Sequence, residues 1–157
     1  MKLEARIDAV VGRLRDRGVD VLPLDDAPWI LEIENQIGHQ LPETYRALVL
    51  RYTFPSFELG PVVFFSNRGD RSYDDITTAP FKDPILSSWV IRSGYFHFSQ
   101  TSSDDYDPVC IALTSPSFPN KAIPVVKFDH EAILLERAPV PSEIVADSLL
   151  QLLEDCA

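Results

Sequence analysis

The sequence is poor in basic residues and in long apolar runs, and each shortage excludes a class of protein. Only 14 lysines and arginines stand against 24 aspartates and glutamates in 157 residues, so the formal net charge is −10. A surface of this charge repels phosphate backbones, and we therefore do not expect direct binding of nucleic acid. No apolar run approaches the ~20 residues that a membrane-spanning helix needs, so we expect no membrane segment either.

Cysteine is equally scarce, with 2 residues in the sequence. Cys110 lies in an apolar run and Cys156 lies beside the end of the sequence, so we expect Cys110 to be a small buried apolar residue rather than a catalytic thiol. The first 18 residues alternate charged and apolar positions and lack the apolar core of a signal peptide. These features predict a cytoplasmic protein.

The motifs of common cofactor and metal sites are missing as well. We find no phosphate loop, dinucleotide fingerprint or zinc-ligand spacing. The acidic run 102–108 does not fit a calcium loop, because counting from Asp104 or Asp105 puts Val109 or Cys110 at the sixth position, where glycine is required. A turn that enters the following strand explains this run better, and we expect neither a cofactor nor a metal.

The three histidines, His39, His97 and His130, are scattered along the chain. His130 lies between two carboxylates and could act as a general base, but no serine or cysteine nucleophile motif accompanies it. We therefore expect no enzymatic activity. The alternative, an enzyme acting on a cationic substrate, requires a deep cavity lined by carboxylates and His130.

Periodicity predicts helices near the start of the chain. Apolar residues recur at helical spacing over residues 3–14, 29–37 and 45–52, and Gly18 and Gly38 are suited to end the first two helices. Pro42 suits the first turn of the third helix, where its missing N–H costs no hydrogen bond.

From Gly60 onward the pattern favours strands. We predict strands over residues 61–65, 95–99, 109–113 and 122–128, and a pairing strand over 132–136 after a turn at Asp129 and His130. In the strand at 95–99, His97 points away from Phe96 and Phe98, toward solvent or a second layer. These strands follow one another without predicted helices between them, which favours an antiparallel or mixed sheet. The sequence thus predicts a single α+β domain over residues 1–157, with a mixed or antiparallel sheet flanked by N-terminal helices and a C-terminal helix.

Three segments resemble characteristic parts of the SUKH superfamily. Residues 29–52 match its acidic helix followed by Leu-Gly and Leu-Pro-x-x-Tyr-Arg, here with Ile37-Gly38 and 41–46 in those places. Residues 124–131 resemble its late strand that ends in an aromatic-Asp-His-Glu turn, and 145–153 resemble its closing helix. The resemblance implies an α+β interaction module. Many bacterial members are immunity proteins that neutralise a toxin encoded beside them, and eukaryotic relatives act in regulatory assemblies.

Acidic residues are concentrated in stretches without a base. No lysine or arginine occurs between Arg17 and Arg46, between residues 93 and 120, or after Arg137. Such an excess can serve solubility, or it can form a docking face for a basic partner. With the resemblance, it predicts binding to a protein, in particular a basic toxin domain such as a nuclease. The alternative is a regulatory or scaffold domain that recognises a cellular protein; the oligomeric state stays open.

Two tyrosines in acidic loops are candidate anchors for that partner. An exposed ion pair contributes about 0–1 kcal/mol, whereas an aromatic anchor in a partner pocket contributes about 2 kcal/mol or more. An acidic face would mainly speed encounter, by ~10- to 1000-fold at low salt. The residues predicted to bind the partner are Asp25, Asp26, Glu34, Tyr73, Asp74, Asp75, Asp104, Asp105, Tyr106 and Asp107.

Overall fold

Two layers of helices enclose an antiparallel β-sheet in the computed structural model, which describes residues 1–103, 105–113, 123–136 and 141–157. The helices are α1 (Leu3–Asp16), α2 (Pro28–Ile37), α3 (Glu43–Val49), α4 (Pro84–Arg92), α5 (His130–Glu136) and α6 (Leu149–Cys156). The strands are β1 (Leu22–Pro23), β2 (Tyr52–Thr53), β3 (Phe57–Leu59), β4 (Val62–Phe64), β5 (Tyr95–Thr101), β6 (Pro108–Ala112), β7 (Val125–Lys127) and β8 (Glu143–Ala146). The predicted α+β class is confirmed.

The main sheet has six strands in the order in which they occur along the chain, β3 to β8, and every neighbouring pair is antiparallel. Strands β1 and β2 form a separate two-stranded sheet. The register between β5 and β6 shifts between His97 and Ser99, which is the mark of a β-bulge. Bulges re-aim side chains, and this one lies beneath the site described below.

The main core lies between one face of the sheet and the helices α1, α2, α3 and α6. Tyr45 of α3 is fully buried there, with its ring centroid 5.5 Å from that of Phe98 and 6.0 Å from that of Phe96. The two ends of the chain meet over this core, because Arg6 of α1 donates two hydrogen bonds of 2.6 Å to the Glu154 carboxylate of α6. One tertiary unit therefore holds elements from both ends of the sequence.

The other face of the sheet carries α4 and α5 over a smaller apolar cluster. Its buried members are Val90, Cys110, Val126, Phe128 and Ile133. Cys110 is fully buried, as predicted, and burial raises the pKa of its thiol well above the usual value. Because both faces are covered, β5 is buried along most of its length rather than alternating between core and solvent.

The glycine stops were predicted correctly. Gly18 and Gly38 take positive φ values of 86° and 73° after α1 and α2, which the left-handed C-terminal turn of a helix requires. Pro42 lies one position before α3, in extended conformation, rather than inside its first turn. Among the residues that the structure describes, no helix combines the length and apolar character needed to cross a bilayer.

Two predicted elements were wrong. Residues 132–136 do not pair back as a strand but belong to α5, because Asp129 accepts a hydrogen bond of 3.1 Å from the Ala132 N–H and caps a helix there. The predicted closing helix over 145–153 is divided, since Val145 and Ala146 end β8 and the helix begins only at Leu149. Ser148 caps that helix by accepting a bond of 3.0 Å from the Gln151 N–H.

Candidate functional site

A cleft of about 320 Å³ opens beside α4 and α5, on the side of the sheet opposite the main core. The polar and aromatic residues that give it chemical character are Tyr73, Lys82, His97, Asp105, Tyr106 and His130. Tyr73 and Tyr106 come from separate loops and are 74% and 63% exposed. We refer to this feature as the tyrosine cleft. It brings together three of the residues that the sequence predicts to bind a partner, namely Tyr73, Asp105 and Tyr106.

Tyr73 lies in the loop between β4 and α4, and buried polar residues fix that loop. The Asp75 carboxylate is fully buried and accepts hydrogen bonds from Gly69 N–H (3.0 Å), Ser66 Oγ (3.2 Å) and Thr77 Oγ1 (2.6 Å). Because its oxygens are used inside the loop, Asp75 does not present a charge to a partner, although the sequence placed it among the partner-binding residues. It holds the backbone that carries Tyr73.

Trp29 of α2 ties the same loop to the helical layer. Its indole Nε1 donates a hydrogen bond of 3.1 Å to the Asn67 carbonyl, and Asn67 is itself fully buried. The Asn67 side chain accepts from Phe54 N–H and donates to the Tyr52 carbonyl, both at 2.8 Å. The loop therefore has a defined backbone before any partner arrives.

Tyr106 lies in the turn of the β5–β6 hairpin. Thr101 and Asp107 close this turn, since the Thr101 N–H donates to the Asp107 carbonyl and the Asp107 N–H donates to Thr101 Oγ1, each at 3.0 Å. Tyr106 has a positive φ of 53°, which side chains rarely adopt. The turn thus holds a large aromatic side chain outward at some cost in backbone energy. Asp104, predicted as a partner contact, lies outside the described residues.

Two capping carboxylates place the helices that border the cleft. Asp83 accepts hydrogen bonds from the N–H groups of Ile85 (2.9 Å) and Leu86 (3.0 Å) at the start of α4. Asp107 Oδ1 accepts from the backbone N–H of His130 at 3.1 Å and lies 2.7 Å from His130 Nδ1 at the start of α5. Asp107 is only 7% exposed, so it too is a framework residue rather than the surface contact that the sequence predicted.

His97 is the buried wall of the cleft. It is 7% exposed and packs edge-on against Phe65, with ring centroids 5.0 Å apart. Its Nε2 has no hydrogen-bond partner among the described residues. Burial, together with the nearby Lys82 ammonium, lowers the pKa of His97 to about 3, against the opposing effect of a backbone hydrogen bond at Ser99. His97 is therefore a neutral imidazole, and it faces a second layer, one of the two orientations expected from the sequence.

The ammonium group of Lys82 lies over the ring of one of the two tyrosines, Tyr73. The Lys82 Nζ atom lies 4.0 Å from the centroid of the Tyr73 ring and 2.9 Å from the Tyr73 hydroxyl. Within the part of the chain described, no carboxylate oxygen lies within 4.0 Å of that ammonium group. The Tyr73 ring thus already takes part in one cation–π contact within the protein.

The surroundings of the cleft are acidic. Adjoining cavities bring Asp74 to one end, and Asp107, Asp129 and Glu131 to the other. Hydrogen bonds from Ser103 and Thr101 lower the pKa of Asp105, and hydrogen bonds from Ser56 and Ser72 lower that of Asp74. Both exposed carboxylates are therefore ionised at neutral pH.

Asp107, Asp129 and His130 each offer a ligand atom within 4.8 Å of the others, in a constellation that could hold a metal ion. Hydrogen bonds inside the protein account for their positions, because Asp107 is bonded to His130 and Asp129 caps α5. These hydrogen bonds join the β5–β6 hairpin to α5 and cap that helix, and they explain why the three residues lie together.

The remaining predicted residues lie away from the cleft. Asp25 and Asp26 are exposed just before α2 and line none of the cavities described. Glu34 is 8% exposed and is bonded to Arg46 Nε at 2.8 Å and Leu41 N–H at 3.0 Å, so it joins α2 to α3 instead of facing a partner. Three partner-binding residues were predicted between Arg17 and Arg46, and only Asp25 and Asp26 of these lie on the surface.

Sequence reasoning missed Lys82 and assigned no binding role to His97 or His130. The signal that could have located α4 is the pair Asp83-Pro84. Aspartate is a favoured capping residue and proline is favoured in a first helical turn, so this pair marks the start of a helix directly after Lys82. His97 and His130 do share a cleft with carboxylates, as the enzyme alternative required. None of the cleft's described lining residues is a serine, threonine or cysteine. The expected lack of catalysis stays a prediction.

A larger cavity of about 490 Å³ lies between α1, α3 and α6. Of its three ionisable lining residues, Arg6 and Glu154 form an ion pair of 2.6 Å with each other, and Glu43 is the third. None of the residues predicted to bind a partner lines it, and we therefore take the tyrosine cleft as the candidate site. Comparisons of the chain with protein-family models, with curated proteins and with solved structures found no match.

Proposed function

We propose that this protein is a binding module that docks a basic protein partner at the tyrosine cleft, and that it serves as an immunity protein against a toxin. The observation that carries the proposal is the meeting of Tyr73 and Tyr106, two exposed tyrosines from separate loops, at one cleft with the ionised Asp105. Tyrosine is one of the residues enriched among those that supply most of the binding energy at protein interfaces.

Charge supports a basic partner. The cleft and the two cavities that adjoin it are lined by six carboxylates and one lysine among the described residues. Elsewhere, some acidic side chains are paired with a base, as Asp20 is with Arg68 at 2.9 Å and Asp8 with Arg51 at 2.8 Å. Among the described residues, five of the six cleft carboxylates have no basic group within 4.0 Å, namely Asp74, Asp83, Asp105, Asp129 and Glu131, although Lys127 lies near enough to help lower the pKa of Asp105. A toxin with a basic substrate groove, such as a nuclease, is complementary to such a surface.

Preorganisation of the loops supports binding rather than mere solubility. A surface kept only for solubility does not need its polar loops fixed by buried side chains. Here Asp75 and Asn67 hold the Tyr73 loop, and Thr101 holds the Tyr106 turn. Loops that are ordered before association lose less conformational entropy when the partner binds.

The resemblance to the SUKH superfamily gives the biological setting of the proposal. Its first segment forms α2 and α3, and its second forms β7 and the start of α5, beside the cleft. A toxin that attacks nucleic acid inside the cell would be met in the cytoplasm, which is the compartment that this proposal implies.

The test is co-expression of this chain with the polymorphic toxin encoded beside it, scored by cell survival and by recovery of a complex. We expect protection by the wild-type chain. Tyr73→Ala and Tyr106→Gly should each weaken the complex by about 2 kcal/mol, the size of an aromatic anchor. The glycine also relieves the positive φ at residue 106, so lost binding would not come from misfolding.

The matched control neutralises the other exposed acidic segment. The double substitution Asp25→Asn with Asp26→Asn should leave protection unchanged, because these residues lie away from the cleft. If the control abolished protection while the tyrosine variants retained it, the binding surface would be at the start of α2. If no variant and no wild-type chain bound the toxin, the immunity role would be lost, and capture of a different cellular protein would support the regulatory alternative.

A further inference from the structure

We infer that the tyrosine cleft takes an arginine side chain of the partner, with its guanidinium against the exposed tyrosine rings and within reach of Asp105. This inference rests on the proposed function, because it names the chemistry that the partner presents to the same cleft. It is argued from three observations: a cation already bound to one ring, an unpaired acceptor in the wall, and the charge of the lining.

The first observation is the position of Lys82. Its ammonium group sits over the Tyr73 ring at 4.0 Å and bonds the ring hydroxyl at 2.9 Å, so the aromatic surface of this cleft attracts cations in the protein itself. Tyr106, on the same cleft, has no cation on its ring among the described residues and is 63% exposed. A second cation therefore has an open aromatic face to occupy.

The second observation is the Nε2 atom of His97. This residue lines the cleft and is nine-tenths buried, yet Nε2 has no hydrogen-bond partner in the described part of the chain. A buried polar atom without a partner costs free energy. Since the imidazole is neutral, Nε2 can accept a hydrogen bond when the ring hydrogen is on Nδ1. The atom exposes less than 1 Å², so a guanidinium N–H reaches it only when the side chains of the lining move apart on binding, and a carboxylate supplies no donor at all.

The third observation is the balance of charge. Asp83 and Asp105 stand against Lys82 in the lining of the cleft, and further carboxylates follow at both ends. The Asp105 carboxylate uses hydroxyl donors from Thr101 and Ser103, so it is held in place and has acceptor capacity left for a partner. An anionic side chain would meet this field with repulsion, so the occupant is a cation.

Size and shape favour arginine among the cationic side chains. A volume of about 320 Å³ is at the small end of ligand sites and suits one side chain rather than a large ligand. The planar guanidinium stacks flat on an aromatic ring and forks toward a carboxylate at the same time, whereas an ammonium group lies over a ring only as a point charge and has no fork. Arginine can therefore stack on a tyrosine ring and donate to Asp105 through the same group.

The experiment is an NMR titration of the isotope-labelled full chain with blocked single residues. The probes are N-acetyl-arginine amide, its uncharged isostere N-acetyl-citrulline amide, N-acetyl-lysine amide and N-acetyl-glutamate amide. We expect millimolar binding of the arginine compound, with shifts at Tyr73, Asp105 and Tyr106 and a change in the His97 Nε2 resonance. The citrulline compound should bind ~10-fold more weakly or not at all, because it lacks the charge.

Two variants of the chain control for a general charge effect. Asp105→Asn should reduce the affinity for the arginine compound, whereas Glu58→Gln, an exposed carboxylate on β3, should leave it unchanged. Equal binding of the citrulline compound, preference for the glutamate compound, or no shift with any probe would each overturn the inference. A toxin complex that survives in Asp105→Asn but not in Tyr106→Gly would keep the proposed function and remove the arginine.

Discussion

His97 is a buried residue that the fold accommodates because its imidazole is neutral. Its ring packs against that of Phe65, and burial excludes the water that would solvate an imidazolium. The nearby Lys82 ammonium disfavours the charge further. The other ionisable groups at the cleft or its edge are Asp83, Asp105 and the Asp107–His130 pair, and among the described residues none of them is hydrogen-bonded to the His97 side chain.

This environment predicts a dependence of stability on pH. The folded pKa of His97 is about 3, whereas the unfolded chain titrates near the ordinary value of 6.5. Below pH 6.5 the unfolded chain therefore binds a proton that the folded chain does not, and the free energy of unfolding falls as the pH drops toward 3. From pH 6.5 to 5 the loss from this residue should reach roughly 2 kcal/mol, as measured by urea unfolding.

The variant His97→Gln isolates that contribution, since glutamine keeps a polar side chain and does not titrate. Its free energy of unfolding should change less between pH 7 and pH 5 than that of the wild type. An identical slope in the two proteins would contradict the assignment of a buried neutral His97. Titration of the exposed carboxylates is common to both proteins and cancels in the comparison.

At the scale of elements, the loop that carries Tyr73 depends on close packing against α2. Gly69 has a positive φ of 69°, and a Cβ at this position would lie 2.5 Å from Cδ2 of Trp29. Both the backbone conformation and the indole ring therefore require glycine here. The helix α2 thus contributes to the site without lining it, by setting the loop against its Trp29 ring.

The variant Gly69→Ala should destabilise the protein by roughly 2–4 kcal/mol, from the positive φ together with the clash. Gly18→Ala is the matched control, because Gly18 has a positive φ of 86° but nothing within 4 Å of the added carbon. The control should lose only about 1–2 kcal/mol. Urea unfolding measures both, and equal losses would show that Trp29 does not confine the loop.

At the scale of the whole molecule, we expect surface charge to set the rate of association with the toxin and the aromatic anchors to set the rate of dissociation. The surface carboxylates attract a basic partner over distance, while tyrosines act only after contact. Asp105 accepts from Thr101 and Ser103 at the same oxygen, Oδ1, which asparagine keeps. Asp74 accepts from Ser56 at Oδ2 and from Ser72 at Oδ1, and in the asparagine variant one of these contacts becomes an NH₂ that donates to the serine hydroxyl, so the loops should persist. The negative charges of Asp74 and Asp105 can therefore be removed while the conformation of the two loops is kept.

We expect the double variant Asp74→Asn with Asp105→Asn to associate several-fold more slowly at low salt and to lose part of its dependence on ionic strength. Tyr73→Ala should instead raise the dissociation rate, by about 30-fold for an anchor of 2 kcal/mol. Surface plasmon resonance over a series of salt concentrations separates the two effects. A tyrosine variant that changed only the association rate would argue against an anchoring role.

Much of the framework was readable from the sequence. Apolar spacing located α1, α2 and α3, and glycine at positions 18 and 38 marked where two of them end. An antiparallel or mixed sheet was expected from successive apolar runs that include Phe96 and Phe98, and the structure has the antiparallel form. Local chemistry decides these features, since helix stops and strand alternation depend on residues close together in the chain.

The sequence by itself determined the α+β class, the burial of Cys110 and the candidacy of Tyr73, Asp105 and Tyr106. It did not separate surface carboxylates from framework ones, and Glu34, Asp75 and Asp107 proved to be buried and bonded inside the protein. Nor did it show that Lys82, His97 and His130 meet the tyrosines at one cleft. Only the tertiary structure decided these points, because burial and charge pairing depend on contacts between residues far apart in the chain, which local periodicity does not encode.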